Sequence, residues 1–130
     1  ITTMGRYYNG DIEGKFWFAV QSSDAPSRFG KDYCEPNYVD YYFEKEDLKG
    51  VRSEIQRIKN TLGDYKKAFD EFFDNNNGYN TEKLEKFFKK KKMDTSKIKK
   101  MLEEYADLGL GRKIEKCVKD NNECNFQAEL

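Results

Sequence analysis

Leu48, Val51, Ile55, Ile58 and Leu62 recur at intervals of three and four residues, with mostly charged and polar side chains between them. That spacing lays one apolar stripe along a helix, and Gly63 supplies the residue that commonly ends one. The same period predicts a second helix, begun by Asp64 as N-cap and carrying Tyr65, Phe69, Phe72 and Phe73, and a third with Leu84, Phe87 and Phe88. A fourth, with Ile98, Met101, Leu102 and Tyr105, takes Asp94 or Thr95 as its cap. Gly109 and Gly111 then interrupt the pattern before a short last helix at Ile114, Cys117 and Val118.

Toward both ends the period falls to two. Arg6 to Asn9 and Gly14 to Gln21 predict a hairpin, with Phe16, Phe18 and Val20 on one side of its second strand and Trp17 and Ala19 on the other. Apolar side chains on both faces predict a central strand. Ser22 to Asn37 holds both prolines and reads as a long loop, and Tyr38 to Glu44 as a third strand. In ECNFQAEL, Cys124, Phe126, Ala128 and Leu130 share one side, a strand with one buried face whose partner is the N-terminal sheet. The expected fold is α+β, one domain over residues 1–130: a small, mainly antiparallel sheet from both chain ends, packed against a helical middle of four to five helices.

Composition changes this picture in one respect. The charged fraction of 37% and mean hydropathy of −1.02 resemble those of a solvated chain, yet 15% of the residues are aromatic. Rings in that number imply a core built from them beneath a charged exterior. Formal charge sums to zero but is unevenly spread: Thr81 to Leu102 carries nine lysines against Glu82, Glu85 and Asp94, while residues 1–46 are net acidic. No window approaches the ~18 apolar residues of a membrane span, and the first residues lack a secretory h-region, so a soluble protein with no membrane partner is expected. Cys34, Cys117 and Cys124 form no CxxC pair, which points to a reducing, intracellular compartment.

Candidate chemistry is sparse. The chain has no histidine, which excludes Ser-His-Asp and Cys-His catalysis and His-ligated metals. FFDNNNGYNTEKLEKFF partly fits a calcium-binding EF-hand loop, but counting from Asp74 puts Gly78 fifth, where the loop needs its glycine sixth. It reads instead as an inter-helix turn broken by Gly78, with Asn80 or Thr81 as N-cap. EGKFWFAV departs from the aromatic strand motif of RNA-recognition domains in the place of its basic residue and in the intrusion of Trp17. Its rings are assigned to the core, Trp17 and Tyr8 being the candidates for exposure. Cys117 and Cys124 are assigned as buried small hydrophobes. Asp11 and Glu13 flank the hairpin turn, and no catalytic set, metal or cofactor is assigned.

GRYYNGDIEGKFWFAVQSSD and ECNFQAEL resemble segments of a family of uncharacterised proteins of large DNA viruses and marine metagenomes. The resemblance covers the two chain ends, implies a viral origin and brings no catalytic residue with it. The expected role is that of a small non-enzymatic interaction protein, an accessory, regulatory or virion component. It would contact an unidentified protein partner through the long loop and hairpin turn, with Asp11, Glu13, Asp24, Arg28 and Phe29 as contact residues. A homo-oligomer follows if the terminal strand lies at a sheet edge. The alternative is nucleic-acid binding through the basic patch from Lys83 to Lys100, chiefly Lys89, Lys90, Lys91, Lys92, Lys97, Lys99 and Lys100.

Overall fold

The computed structural model describes residues 6–17, 20–22, 25–30, 38–76 and 78–129. Among these, β1 (Tyr7–Gly10), β2 (Gly14–Lys15), β3 (Tyr38–Glu44) and β4 (Glu123–Glu129) form one antiparallel sheet in the order β2-β1-β4-β3. In β4, Cys124, Phe126 and Ala128 are buried, and Glu123, Asn125 and Gln127 are exposed. Register carries the same alternation to its neighbours: Tyr41 lies opposite Phe126, Phe43 opposite Cys124 and Tyr8 opposite Ala128. Gly10 has φ 137°, and a Cβ there would lie 2.5 Å from the Asn125 carbonyl oxygen, so only glycine lets β1 approach β4 at this point.

The terminal strand therefore sits inside the sheet, and the edge-pairing route to self-association expected for it is closed. A second correction concerns the predicted central strand over Gly14 to Gln21. Only Gly14–Lys15 pairs regularly, and it pairs at the sheet margin. The Phe16 amide still reaches the Arg6 carbonyl (2.8 Å), after which the Trp17 carbonyl accepts from the amides of Val20 and Gln21, turning the chain out of the sheet. Neighbouring side chains then serve different clusters. Phe16 packs on Tyr8 (5.0 Å between centroids), whereas Trp17 reaches Phe73 (5.7 Å) and Tyr105 (6.4 Å) among the helices. Phe18, Ala19 and Leu130, parts of the predicted strands, lie outside the described residues.

The helices are α1 (Leu48–Leu62), α2 (Asp64–Asp74), α3 (Thr81–Lys90) and α4 (Ile98–Asn121). α1 buries the predicted stripe of Val51, Ile55, Ile58 and Leu62 and lies along α4. Gly63, with φ 51°, takes the place expected of Asp64 as N-cap of α2, leaving Asp64 as its first helical residue. Asn80 caps α3 through the Lys83 amide (2.8 Å), and Asp94 caps the 3-10 turn before α4 through the Ser96 amide (2.9 Å). The largest correction is α4, which runs 24 residues without a break through both glycines. It packs against α1, α2 and β4, so its apolar positions follow no single stripe. Gly111 is where Phe29 enters: a Cβ there would lie 2.6 Å from the Phe29 ring. No helix of the described residues is long and apolar enough to cross a membrane.

Candidate functional site

The predicted contact loop folds inward at its N-terminal end. Ala25–Phe29 is a 3-10 helix in which Ala25, Pro26 and Phe29 are buried. Phe29 is 1% exposed and belongs to the core, which removes it as a contact residue. Arg28 is likewise turned to the protein itself. Its Nε donates to Glu54 Oε2 (2.8 Å), its Nη1 to Glu104 Oε2 (2.7 Å) and to Asp107 Oδ2. Asp24, and the loop's 31–37 segment, lie outside the described residues.

Glu104 and Asp107 are buried on α4, so the guanidinium supplies a charge that two desolvated carboxylates require. Around this hub, Gln21 donates to Asp107 Oδ1 (2.7 Å) and Arg57 forks onto Glu54 (2.9 and 2.7 Å). Burial opposes the Arg28 charge, but the bonds from Glu104, Asp107 and Glu54 outweigh it and hold the guanidinium firmly protonated. Burial pushes the Asp107 carboxyl up, more than Gln21 and Arg28 pull it down. The bond from Arg57 leads in holding Glu54 below its ordinary range. Glu103, Glu104 and Asp107 bring ligand oxygens within 4.8 Å of one another, but Arg28 already occupies the place a cation would take. The chemistry of this hub is structural. Among the many charges of α4, nothing in the sequence marked Glu104 and Asp107 as the buried ones.

Asp11 also works within the fold. Its amide donates to the Asn125 carbonyl (2.8 Å) and its Oδ2 accepts from the Asn125 amide (2.8 Å), continuing the β1–β4 ladder past Gly10. Glu13 has an exposed side chain, and its carbonyl accepts from Lys113 Nζ (3.0 Å). Cys117 and Cys124 are both buried; the Cys117 thiol donates to the Glu123 carbonyl (3.5 Å), and burial first, then the neighbouring Cys117 thiol, pushes the Cys124 thiol up. Cys34 is outside the described residues.

Among the described residues, two features stand out as open to a ligand. The first is the lysine-rich end. All nine lysines from Lys83 to Lys100 are exposed, and among the described residues only Lys86, to Glu82, and Lys91, to Glu71, enter an ion pair. Lys89 and Lys90 close α3, where its dipole favours cations. Lys97, Lys99 and Lys100 surround the start of α4, whose first turn has no acidic residue, and there the dipole opposes them.

The second feature, which the sequence did not disclose, is a cleft of about 220 Å³ between the segment after β2 and α4. Trp17 and Tyr105 line it; Lys15, Arg112 and Lys113 bring cations to it, and no carboxylate among the described residues lines it. Lys113 Nζ donates to the Tyr8 hydroxyl (2.9 Å), and a Cβ on Gly14 would come within 2.7 Å of that amine, so Gly14 makes room for it. Comparison of the chain with protein-family models, with characterised proteins and with solved structures gives no match.

Proposed function

We propose that the protein is a non-enzymatic binding protein whose main surface is the lysine-rich end, and that its ligand is the phosphate backbone of a nucleic acid. The supporting observation is the set of exposed lysines at Lys89, Lys90, Lys92, Lys97, Lys99 and Lys100, none of which forms an ion pair among the described residues, Asp94 alone lying near enough to Lys97 to feel its charge. Lysines clustered in this way serve as point charges for phosphate, without reading sequence. Placing three of them against the dipole of α4 costs helix stability and raises the local potential, the compromise expected of a surface selected for an anion. In the viral family that the chain ends resemble, this would be an accessory or virion component in a reducing setting, in contact with a genome or transcript.

Binding to random-sequence DNA or RNA tests the reading. The affinity should fall with salt, with a slope of about 0.7 to 0.9 per phosphate neutralised. Replacing Lys89, Lys90 and Lys92 by Gln should flatten that slope while lowering the thermal midpoint only slightly, by the loss of two favourable charges at the end of α3. No binding even at low ionic strength would end the proposal.

A second reading, protein contact, moves from the loop to the outer face of the sheet. Tyr7 and Tyr42 are 49% and 43% exposed there, beside exposed Asn9, Asp40, Asn125 and Gln127. Amphipathic tyrosines amid amides suit a polar protein interface. Tyr7→Ser with Tyr42→Ser should then abolish co-purification of a specific native partner while leaving nucleic-acid affinity intact; retention of that partner would refute it.

A further inference from the structure

The cleft beside Gly109 carries an inference that rests on the nucleic-acid reading and narrows it. Gly109 is exposed within α4, and a Cβ there would meet nothing within 4 Å, so no internal packing calls for a glycine. Its bare backbone instead forms part of the cleft floor. Arg112 forms no ion pair among the described residues, although it lies near enough to Asp70 to help hold that carboxyl below its ordinary range. Lys113 spends two of its three donors on neutral oxygens, the Tyr8 hydroxyl and the Glu13 carbonyl, leaving one N–H for an anion. Aromatic rings, an open floor and cations lacking a lining carboxylate are complementary to a planar ring carrying a phosphate.

The cleft and the lysine-rich end are both built on α4. Lys99, Leu102, Ala106, Gly109 and Lys113 follow one another at helical spacing on a single face of α4. Lys99 and Tyr79 line a second hollow, of about 370 Å³, and the Tyr79 ring contacts Trp17 at 6.2 Å. From Lys99 to Lys113 the helix rises about 21 Å, the reach of a short run of extended strand. Tyr79 is 39% exposed and stands between the two hollows, where a second base can stack.

We propose that this strip is a single-strand track, with the Trp17–Tyr105–Gly109 cleft as the seat of one unpaired nucleotide, its base against the rings and its phosphate at Arg112 and Lys113. A duplex, whose bases are already stacked, would use the lysine-rich end alone. Aromatic rings interleaved with cations are the means by which proteins hold single strands without sequence reading.

Trp17 is the sole tryptophan, so the seat contains its own reporter. Fluorescently labelled oligothymidylate, followed by anisotropy, reports binding anywhere on the protein, while Trp17 emission reports occupancy of the cleft. Oligothymidylate should quench Trp17 in step with the anisotropy, and a duplex should bind without quenching. Gly109→Leu, which fills the floor, and Arg112→Gln should each weaken single-strand binding about tenfold, the value of one stacking or ionic contact, and leave duplex binding unchanged. Far-UV circular dichroism and the thermal midpoint verify the fold of Gly109→Leu; if it is perturbed, Arg112→Gln carries the test. Oligothymidylate binding with unaltered Trp17 emission would overturn the seat and leave the lysine reading standing, whereas absence of all binding at low salt would overturn both. Equal quenching by thymidine 5′-monophosphate at matched nucleotide concentration would overturn the strand track in favour of a free nucleotide.

Discussion

With Arg28 replaced by Met, Glu104 and Asp107 would keep their burial; Asp107 would lose its cation and Glu104 would keep only Arg57, at 3.8 Å. Their side chains are only 8% and 6% exposed, so water cannot take the place of Arg28 without opening the packing of α4. Removing one partner of such an arrangement destabilises by about 3 kcal/mol or more, and chemical denaturation should show a loss of that size. Adding Glu104→Gln and Asp107→Asn to the Met variant should restore much of it, because the orphaned charges go with the carboxylates. The pH dependence follows from the direction of the Asp107 shift. A folded-state pKa raised above 3.8 means that the folded protein holds that proton more tightly than the unfolded chain. The associated destabilisation is present above the raised pKa and is relieved as pH falls through it. Without Arg28 the shift should grow, so the gap between Arg28→Met and the parent protein should narrow on acidification. A gap that is constant or widens with acid would mean that Asp107 is not the group left unpaired.

In α4, two glycines two residues apart predict opposite responses to one methyl group. At Gly111 a Cβ would press on the Phe29 ring at 2.6 Å and on Ile55 at 3.1 Å, both core side chains, so Gly111→Ala should lower the thermal midpoint. At Gly109 the methyl meets nothing, and Ala exceeds Gly in helix propensity by about 1 kcal/mol, so Gly109→Ala should raise it. Equal responses would contradict the environments assigned to the two positions. These glycines also show where the sequence was readable. α1 and α3 each bury one stripe, and their periodicity placed them correctly; the same holds for β4, with one face buried and one wet. α4 buries several sides at once, which erases the stripe, and glycines that terminate an exposed helix are here held within one by packing. β2 misled for a related reason: the apolar residues from Phe16 onward looked like two faces of one strand, yet Phe16 and Trp17 serve two separate ring clusters after the chain has turned. The Arg28 hub and the cleft were illegible because each joins groups far apart in the chain, such as Arg28 with Asp107 and Trp17 with Arg112.

Across the whole molecule, the two described ends meet in the centre of the sheet, and this makes the fold depend on its last strand. β4 pairs with β1 through Tyr8, Asn9 and Gly10 and with β3 along seven residues, so without it β1 keeps only the two residues of β2 and β3 has no strand partner among the described residues. Phe126 alone touches Tyr8 (5.8 Å), Tyr41 (5.4 Å) and Phe43 (6.2 Å), uniting rings from three segments. A chain ending at Asn122 would keep the local contacts of α1 to α4 but expose those rings, together with the face of α4 that the sheet covers. Contacts within each helix are short in sequence and form without the sheet, whereas the β1–β4 pairing closes nearly the whole described chain. The truncated chain should therefore retain most of its far-UV helical signal, bind a hydrophobic dye and melt without a cooperative transition. Phe126→Ala, which deletes only the ring, should keep the transition and lower stability by about 3 to 5 kcal/mol. A cooperative transition at the parent midpoint after truncation would mean that the helices stand alone as a domain and that the sheet is an appendage, a division at odds with Phe29, Ile55 and Phe126 sharing one continuous interior.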